Sequence, residues 1–172
     1  MIPDPSVIPF FREMAAPSRH SAFSIFQTST VSSGHPLIVE GEVGDTMYIL
    51  VQGRVRIVKS MILKGLVGAI PGLDRPEKVL AVLTDETFPI FGELALVDQD
   101  TRSATVEAMT DCTFLQTTRD RFNDLLAREA QAAALILLGV ARRLAGTVRR
   151  NNGEIVKLTT ALALLLGRPS GR

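Results

Sequence analysis

The chain has 172 residues, of which 46% are hydrophobic and 22% are charged, so it can bury the core of a folded domain. This composition excludes a largely disordered protein. Nineteen lysines and arginines nearly balance eighteen aspartates and glutamates, and the resulting net charge of +1 gives no electrostatic basis for binding DNA or an anionic membrane.

The cysteine and histidine counts and the apolar runs bear on disulfides, metal sites, secretion and membrane spans. Cys112 is the single cysteine, so the chain forms no internal disulfide, which fits a reducing compartment. His20 and His35 are too few for a three-histidine site, and we expect no bound metal. The N-terminus lacks the basic region and apolar core of a secretory signal. The longest apolar run, 132–141, is about half of the ~20 residues that a membrane span needs. We therefore expect a soluble, cytoplasmic protein.

Three regions of different composition follow one another along the chain. The first contains four prolines and is predicted to be irregular, except for a short helix with Ile8, Phe10, Phe11 and Met14 on one side. The second has the alternation and turn residues of strands, and the third has the periodicity of helices. Strands followed by helices favour an α+β arrangement over alternating β-α-β units. The predicted boundaries are 1–25, 26–118 and 119–172.

The middle region contains short strand signals separated by turns. Residues 47–51 form a fully apolar run, which predicts a strand that is covered on both faces. Gln52 and Gly53 form a two-residue hairpin signal, and the alternation of Val55 and Ile57 with arginines predicts a half-buried strand after it. Seven or eight short strands at this spacing indicate a β jelly roll, as a sandwich or a barrel. Further strands are predicted at 28–31, 37–39, 78–83, 103–109 and 113–118.

Helices are predicted for the last region. Thr118 is a suitable N-cap for a first helix over 119–128. A second helix is predicted over 132–150, where apolar residues repeat in the heptad pattern of a helix–helix seam. Asn151–Gly153 is predicted to end this helix, and a final apolar helix is predicted over 154–166. The heptad positions are Ala134, Leu137, Ala141, Leu144 and Val148.

The densest group of informative residues lies between positions 91 and 106. Gly92 is predicted to open a short helical turn, whose unpaired backbone N–H groups can hold an anion. Glu93 in that turn can accept hydrogen bonds from hydroxyl groups, and Arg102 offers a planar fork that suits a phosphate. Ser103 adds a hydroxyl group. A sugar phosphate is the ligand that uses all of these groups.

The sequence Phe-Gly-Glu-Leu-Ala-Leu, five further residues and then Arg-Ser-Ala-Thr-Val resembles the phosphate-binding cassette of cyclic nucleotide-binding domains. Such domains occur in the catabolite activator protein of bacteria and in the regulatory subunits of cyclic-AMP-dependent protein kinase. The glycine-punctuated stretch 40–55 resembles the strands of the same family, and the likeness extends over about 34–150. The resemblance implies the family's β jelly roll with C-terminal helices.

The resemblance also implies roles for the cassette residues. Glu93 would accept a hydrogen bond from the ribose 2′-hydroxyl, and Arg102 would pair with the cyclic phosphate. Gly92 would let the ligand approach the backbone. The remaining groups of the cradle would be the backbone N–H groups of Leu94, Ala95 and Ser103.

The long predicted helix resembles the dimerisation helix of the same family. This likeness implies a homodimer through the 132–150 helix, in which Thr147 would contact the nucleotide base across the dimer. In contrast, Gly41, Gly44 and Gly53 are interpreted as turn glycines that shape the fold and do not touch the ligand.

Two features depart from the family pattern. The segment between Ser60 and Glu77 is long and apolar, and we interpret it as a covered extension of a strand rather than a docking site. The sequence given ends at Arg172, which leaves too little chain for a helix-turn-helix, so we expect no binding to DNA.

Together these observations predict a stand-alone cyclic nucleotide sensor that favours cyclic AMP over cyclic GMP and has no catalytic residues. Ligand binding would rearrange the C-terminal helices and thereby act on a downstream protein partner, which the sequence does not identify. The alternative is a ligand-independent protein-interaction module on the same fold. A metal-dependent enzyme of the cupin type would need clustered histidine and carboxylate ligands, and the sequence has no such cluster.

Overall fold

A computed structural model describes residues 2–60, 77–98 and 101–166. The contacts within the chain divide it into two compact units, residues 1–134 and residues 135–172. The apolar segment between Ser60 and Glu77, interpreted above as a strand extension, lies outside the described residues except at its two ends.

The N-terminal segment contains two short helices. The predicted helix around Phe11 is present as α1 (Pro9–Arg12), and Phe11 packs edge-to-face against Phe23 and Phe26. A second helix, α2 (Ala16–Ser24), follows where no helix was predicted. It buries Ala22 alone, so the sequence carries no apolar stripe that would indicate a helix here.

Eight strands form two antiparallel four-stranded sheets within the described residues, with the orders β1-β8-β3-β6 and β2-β7-β4-β5. This arrangement confirms the predicted α+β jelly roll. The strands are β1 (Gln27–Val31), β2 (Pro36–Ile38), β3 (Thr46–Gln52), β4 (Arg54–Ser60), β5 (Glu77–Thr84), β6 (Ile90–Phe91), β7 (Thr105–Ala108) and β8 (Cys112–Thr118).

The core between the sheets is anchored by three aromatic rings. The apolar run predicted to be covered on both faces lies in β3, where residues 47–50 are all buried. Tyr48 stacks on Phe91 with ring centroids 5.8 Å apart, and Phe91 meets Phe114 edge-to-face at 5.9 Å. Because Phe91 directly precedes Gly92, this packing fixes the start of the cassette predicted from the sequence.

The first C-terminal helix, α4 (Arg119–Arg128), matches its prediction. The Thr118 hydroxyl accepts a hydrogen bond from the backbone N–H of Arg121 at 3.4 Å, which satisfies one of the unpaired donors at the helix start. Phe122 and Leu125 are buried, so α4 is held by its apolar face.

The second C-terminal helix, α5 (Ala130–Leu166), is one continuous helix of 37 residues. The prediction that Asn151–Gly153 ends it, with a separate helix after it, is therefore wrong. Gly153 does not adopt the left-handed conformation that a terminating glycine usually takes. Asparagine and glycine each disfavour a helix interior by about 1 kcal/mol or less relative to alanine, so neither residue must break a long helix.

By length and composition alone, α5 is the one helix among the described residues that is able to cross a membrane. Its most apolar 18-residue stretch has a mean hydropathy of 1.3. However, Arg142 and Arg143 interrupt the first half of the helix, and Arg149 and Arg150 follow near its centre. An arginine at the middle of a bilayer costs about 2.5–3.5 kcal/mol or more. We therefore keep the expectation that this helix does not span a membrane.

Candidate functional site

The predicted cassette begins at a tight turn around Gly92. This residue joins β6 to a short helix, α3 (Leu94–Val97), and has a φ of +72°, which side chains of L-amino acids rarely allow. A Cβ atom at this position would stand 2.8 Å from the carbonyl oxygen of Thr46. Glycine is therefore required here both by the backbone conformation and by the lack of space.

Arg102 lies beside this turn, although ten residues separate it from Gly92. Its Nη1 donates a hydrogen bond to the Gly92 carbonyl at 3.4 Å. Its own backbone is held on both sides, because Arg102 N–H donates to the Glu42 carbonyl at 2.8 Å and Gly41 N–H donates to the Arg102 carbonyl at 3.0 Å. The structure thus brings together the two halves of the predicted cassette.

The charged guanidinium of Arg102 is only partly exposed to water. Burial lowers the pKa of the half-buried guanidinium, while Tyr48 and Asp45 act in the opposite direction. Arginine nevertheless stays protonated in proteins. Within the described residues, the guanidinium hydrogen-bonds only to the Gly92 carbonyl, so most of its N–H donors are available to an anionic ligand.

Gly44 provides the space that the Arg102 guanidinium occupies. A Cβ atom at residue 44 would stand 2.3 Å from Nε and 2.6 Å from Nη2 of Arg102. The sequence interpretation placed Gly44 with the turn glycines and missed this contact. Gly41 has the positive φ of a turn glycine, and a Cβ atom added there would meet no atom within 4 Å, whereas Gly44 has neither property. No pattern in the sequence distinguishes these two kinds of glycine.

Glu93 is the buried acid of the site, with 9% of its surface exposed. It occupies the N-cap position of α3 in a helical conformation, and its side chain makes no capping hydrogen bond to that helix. A carboxylate shielded from water in this way forms stronger hydrogen bonds with a hydroxyl group than an exposed one does.

The three backbone N–H groups predicted to bind the phosphate differ in whether they already have an acceptor within the chain. Ala95 N–H donates to the Gly92 carbonyl at 3.1 Å, so it already has an acceptor. The N–H groups of Leu94 and Ser103 have no acceptor among the described residues. Their contact with a ligand, like that of Ala95, stays a prediction.

Thr147 belongs to the second compact unit. Its hydroxyl accepts a hydrogen bond from Nη2 of Arg150 at 3.1 Å, one turn further along α5. The contact with a nucleotide base therefore stays a prediction that rests on the resemblance.

Arg119 is a further residue of this region that the sequence interpretation did not identify. Its Nε donates to the Ala95 carbonyl at 2.8 Å, and its Nη2 donates to the Asp98 carbonyl. Its backbone N–H donates to the Asp45 carbonyl at 2.9 Å. Because Arg119 is the first residue of α4, it connects the cassette helix α3 directly to α4. The sequence did not point to Arg119, because both acceptors of its side chain are backbone carbonyls, which no residue type reveals.

A cavity of about 340 Å³ opens next to these groups. Gly44 lines it and also contacts the Arg102 guanidinium, so the cavity adjoins the arginine. Within the described part of the chain, no group of three or more histidine, cysteine, aspartate or glutamate residues is arranged to hold a metal ion. The cavity is lined by Val43, Gly44, Asp45 and Arg119.

Comparison with known proteins identifies the family to which the domain belongs. The cyclic AMP receptor protein of Thermus thermophilus is 29% identical over 136 residues, which cover 79% of this chain and 57% of the receptor. The crystal structure of the catabolite activator protein of the same organism superposes with a TM-score of 0.70 and 27% identity, covering 88% of this chain and 63% of that one. A structure described as the EAL enzyme Bd1971 is 30% identical, with a TM-score of 0.50 and coverage of 74% and 98%.

The chain thus spans little more than half the length of the receptor that it matches. The fold occurs in a catabolite activator protein and also in a structure described as an enzyme. The family of the cyclic nucleotide-binding domain matches residues 28–129, which include α4 and, apart from Gln27, every strand of both sheets. With more than half of its residues matched, the chain belongs to the cyclic nucleotide-binding domain family.

Proposed function

We propose that this chain is a regulatory domain that binds a cyclic nucleotide, cyclic AMP in preference to cyclic GMP, and that it rearranges its C-terminal helices in response. The observation that carries this proposal is the position of Arg102. A half-buried guanidinium lies against the glycine turn of the cassette, and its hydrogen bond within the described chain is a long one to a neutral carbonyl. We further propose that the domain acts as a sensor without catalytic activity of its own.

The cyclic phosphate would bind at Arg102. A phosphate oxygen is a stronger acceptor than the Gly92 carbonyl, so it would take over the Nη1–H group and engage the other donors of the planar fork. Hydrogen bonds of charged groups contribute about 1.5–3 kcal/mol each. Removing the guanidinium would therefore raise the dissociation constant at least about tenfold.

The ribose would bind at Glu93. The buried carboxylate would accept a hydrogen bond from the 2′-hydroxyl, which is the group that separates a ribonucleotide from its deoxy counterpart. A site built to bind a hydroxyl discriminates against a ligand that lacks it, because the hydrogen bond to that hydroxyl is then not formed. This residue would therefore determine the sugar specificity of the site.

The response to the ligand would pass through Arg119. Phosphate capture would shift or rigidify α3, and the Arg119 guanidinium holds the carbonyl groups of Ala95 and Asp98 in that region. Because Arg119 starts α4, any change in α3 would reach the C-terminal helices directly. The ligand must bind one arrangement of these helices more tightly than the other for the equilibrium to shift.

A homodimer through α5 is part of the proposal. The heptad pattern identified over 132–150 continues beyond it in the same helix, and Asn151 supplies one polar residue in the seam. Apolar seams of this length associate as coiled coils, and a single buried asparagine fixes their register. The heptad residues after Val148 are Asn151, Ile155, Leu158, Leu162 and Leu165, all exposed in the single chain.

A second candidate function is a ligand-independent interaction module. The observation that favours it is the exposure of three apolar side chains on β5, namely Val79, Leu80 and Val82. Such a module would bind its protein partner equally well with and without nucleotide. A pull-down performed in the presence and absence of cyclic AMP separates this function from the sensor.

The proposed function is tested by calorimetric titration of the wild type and the Arg102→Ala variant with cyclic AMP, cyclic GMP and 5′-AMP. We expect binding of a cyclic nucleotide by the wild type and a loss of at least about tenfold in Arg102→Ala. Arg128→Ala is the matched control, because Arg128 is exposed and, among the described residues, donates only to the Asp124 carbonyl in its own helix. Absence of binding at millimolar nucleotide, or wild-type affinity in Arg102→Ala, contradicts the proposal.

A further inference from the structure

We propose that Lys59 is a positioning residue of the nucleotide site, which fixes the main chain at Ser103 from a different strand. This inference rests on the proposed function and adds to it a residue outside the cassette. Lys59 lies near the end of β4, and 44 residues separate it from Ser103.

The Lys59 ammonium connects the Ser103 carbonyl to the Glu40 carboxylate. The Lys59 ammonium donates to the Ser103 carbonyl at 2.5 Å and to Oε1 of Glu40 at 3.2 Å. The other carboxylate oxygen of Glu40 accepts the backbone N–H of Ser60 at 2.8 Å. Glu40 therefore holds both the side chain of Lys59 and the backbone of the following residue, which limits the positions available to the ammonium.

Lys59 restrains a part of the cassette backbone that its neighbouring hydrogen bonds leave unheld. Arg102 N–H is bound to the Glu42 carbonyl at 2.8 Å, and the Thr105 hydroxyl accepts the backbone N–H of Glu40 at 2.9 Å. Ser103 lies between these two fixed points and is exposed. Its carbonyl is held by the lysine alone among the contacts of the described residues. Without the ammonium, the Ser103–Ala104 peptide can rotate, and the binding of a phosphate would have to order it.

The charge of Lys59 adds a second effect. Ser103 directly follows Arg102, so the ammonium places another positive charge close to the position proposed for the cyclic phosphate. The Lys59 side chain is 47% exposed, and an ordinary salt bridge at such a site contributes little to stability. The contribution that we infer is therefore to ligand affinity, through the fixed peptide, rather than to the stability of the fold.

The experiment compares Lys59→Met with Lys78→Met, which is a matched control. Lys59 and Lys78 face each other in the register of β4 and β5, and both are exposed. Calorimetry with cyclic AMP is expected to show that Lys59→Met raises the dissociation constant about five- to tenfold, and that Lys78→Met changes it less than about twofold. Lys59→Arg is expected to restore most of the affinity, because a guanidinium can donate to both acceptors.

A measurement on the ligand-free protein separates positioning from a merely structural role. Hydrogen exchange of the Ala104 amide reports on the peptide whose carbonyl Lys59 holds. We expect faster exchange at this amide in Lys59→Met, with an unchanged thermal midpoint. A merely structural role would instead lower the midpoint and leave the affinity unchanged at temperatures well below it.

The possible outcomes distinguish this inference from the proposed function. If the wild type binds cyclic AMP and Lys59→Met binds it equally well, the positioning role is refuted and the proposed function stands. If Lys78→Met weakens binding as much as Lys59→Met, the effect is one of general charge and the positioning role is again refuted. If the wild type binds no cyclic nucleotide while remaining folded, both the function and the role of Lys59 are refuted.

Discussion

Gly44 and Arg102 share one space, since a Cβ atom at residue 44 would stand 2.3 Å from Nε of the arginine. We therefore predict that Gly44→Ala displaces the guanidinium and raises the dissociation constant for cyclic AMP at least about tenfold. Gly44 has no positive φ, so the substitution adds no backbone strain at residue 44 itself. Isothermal calorimetry measures the affinity.

The control for this prediction is Gly146→Ala. A Cβ atom at Gly146 meets nothing within 4 Å, and the residue lies inside α5, where alanine favours the helix by about 1 kcal/mol over glycine. This variant should keep the affinity of the wild type. Unchanged binding in Gly44→Ala would mean that Arg102 can adopt another position without loss.

A second prediction concerns the sugar specificity that we assign to Glu93. The wild type should bind cyclic AMP at least about tenfold more tightly than its 2′-deoxy analogue, because the analogue cannot form the charge-assisted hydrogen bond to the carboxylate. In Glu93→Gln this preference should shrink to a few-fold. Titration of both proteins with both ligands gives the coupling energy between the carboxylate and the hydroxyl. If both proteins preferred cyclic AMP over the 2′-deoxy analogue to the same extent, a residue other than Glu93 would bind the 2′-hydroxyl.

The fold and the cassette could be predicted from the sequence because local patterns determine them. The alternation around Val55 and the fully apolar run at 47–51 marked strands that the structure contains. The glycine turn and the arginine ten residues later marked a site whose two halves lie together. In these cases, the residues that carry the pattern are also those that form the structure.

Long-range contacts and helix continuity could not be predicted in the same way. The roles of Gly44 and Lys59 depend on partners 58 and 44 residues away, and neither type of residue identifies its partner. The helix α5 continues through Asn151 and Gly153 because their small individual costs are spread over 37 residues. A local stop signal therefore gave the wrong boundary.

A third prediction follows from the ionisation of Glu40. The hydrogen bond from the Ser60 N–H, with a smaller contribution from Lys59, lowers the pKa of this carboxyl below its ordinary value. Its stabilising contribution is therefore complete above about pH 4.3 and is lost as the pH falls through the lowered pKa. The stability difference between wild type and Glu40→Gln should be constant near neutral pH and disappear in acid. Urea unfolding at a series of pH values measures it, and a difference that persists in acid would contradict the prediction.

A fourth prediction concerns the connection between α3 and α4. Arg119→Ala removes the hydrogen bonds to the Ala95 and Asp98 carbonyls and should lower the free energy of unfolding by roughly 1–3 kcal/mol. It should also reduce the ligand-induced change in hydrogen exchange of α4. Arg128→Ala, which among the described contacts removes only a bond within α4, should change neither quantity appreciably. A full response of α4 in Arg119→Ala would show that the ligand signal takes another route.

The final prediction compares two adjacent residues of α5. Ile155 lies in the heptad seam proposed for dimerisation, whereas Val156 lies outside it, and their exposed fractions are similar at 58% and 64%. Ile155→Lys places a charge inside the seam and should raise the dimer dissociation constant by at least about tenfold, since burying an unpaired charge is strongly unfavourable. Val156→Lys adds the same charge at the surface and should leave the dimer intact. Sedimentation equilibrium distinguishes monomer from dimer and measures the dissociation constant of each variant. Equal weakening by both substitutions would assign the exposed apolar side chains of α5 to a broader contact than a two-stranded seam.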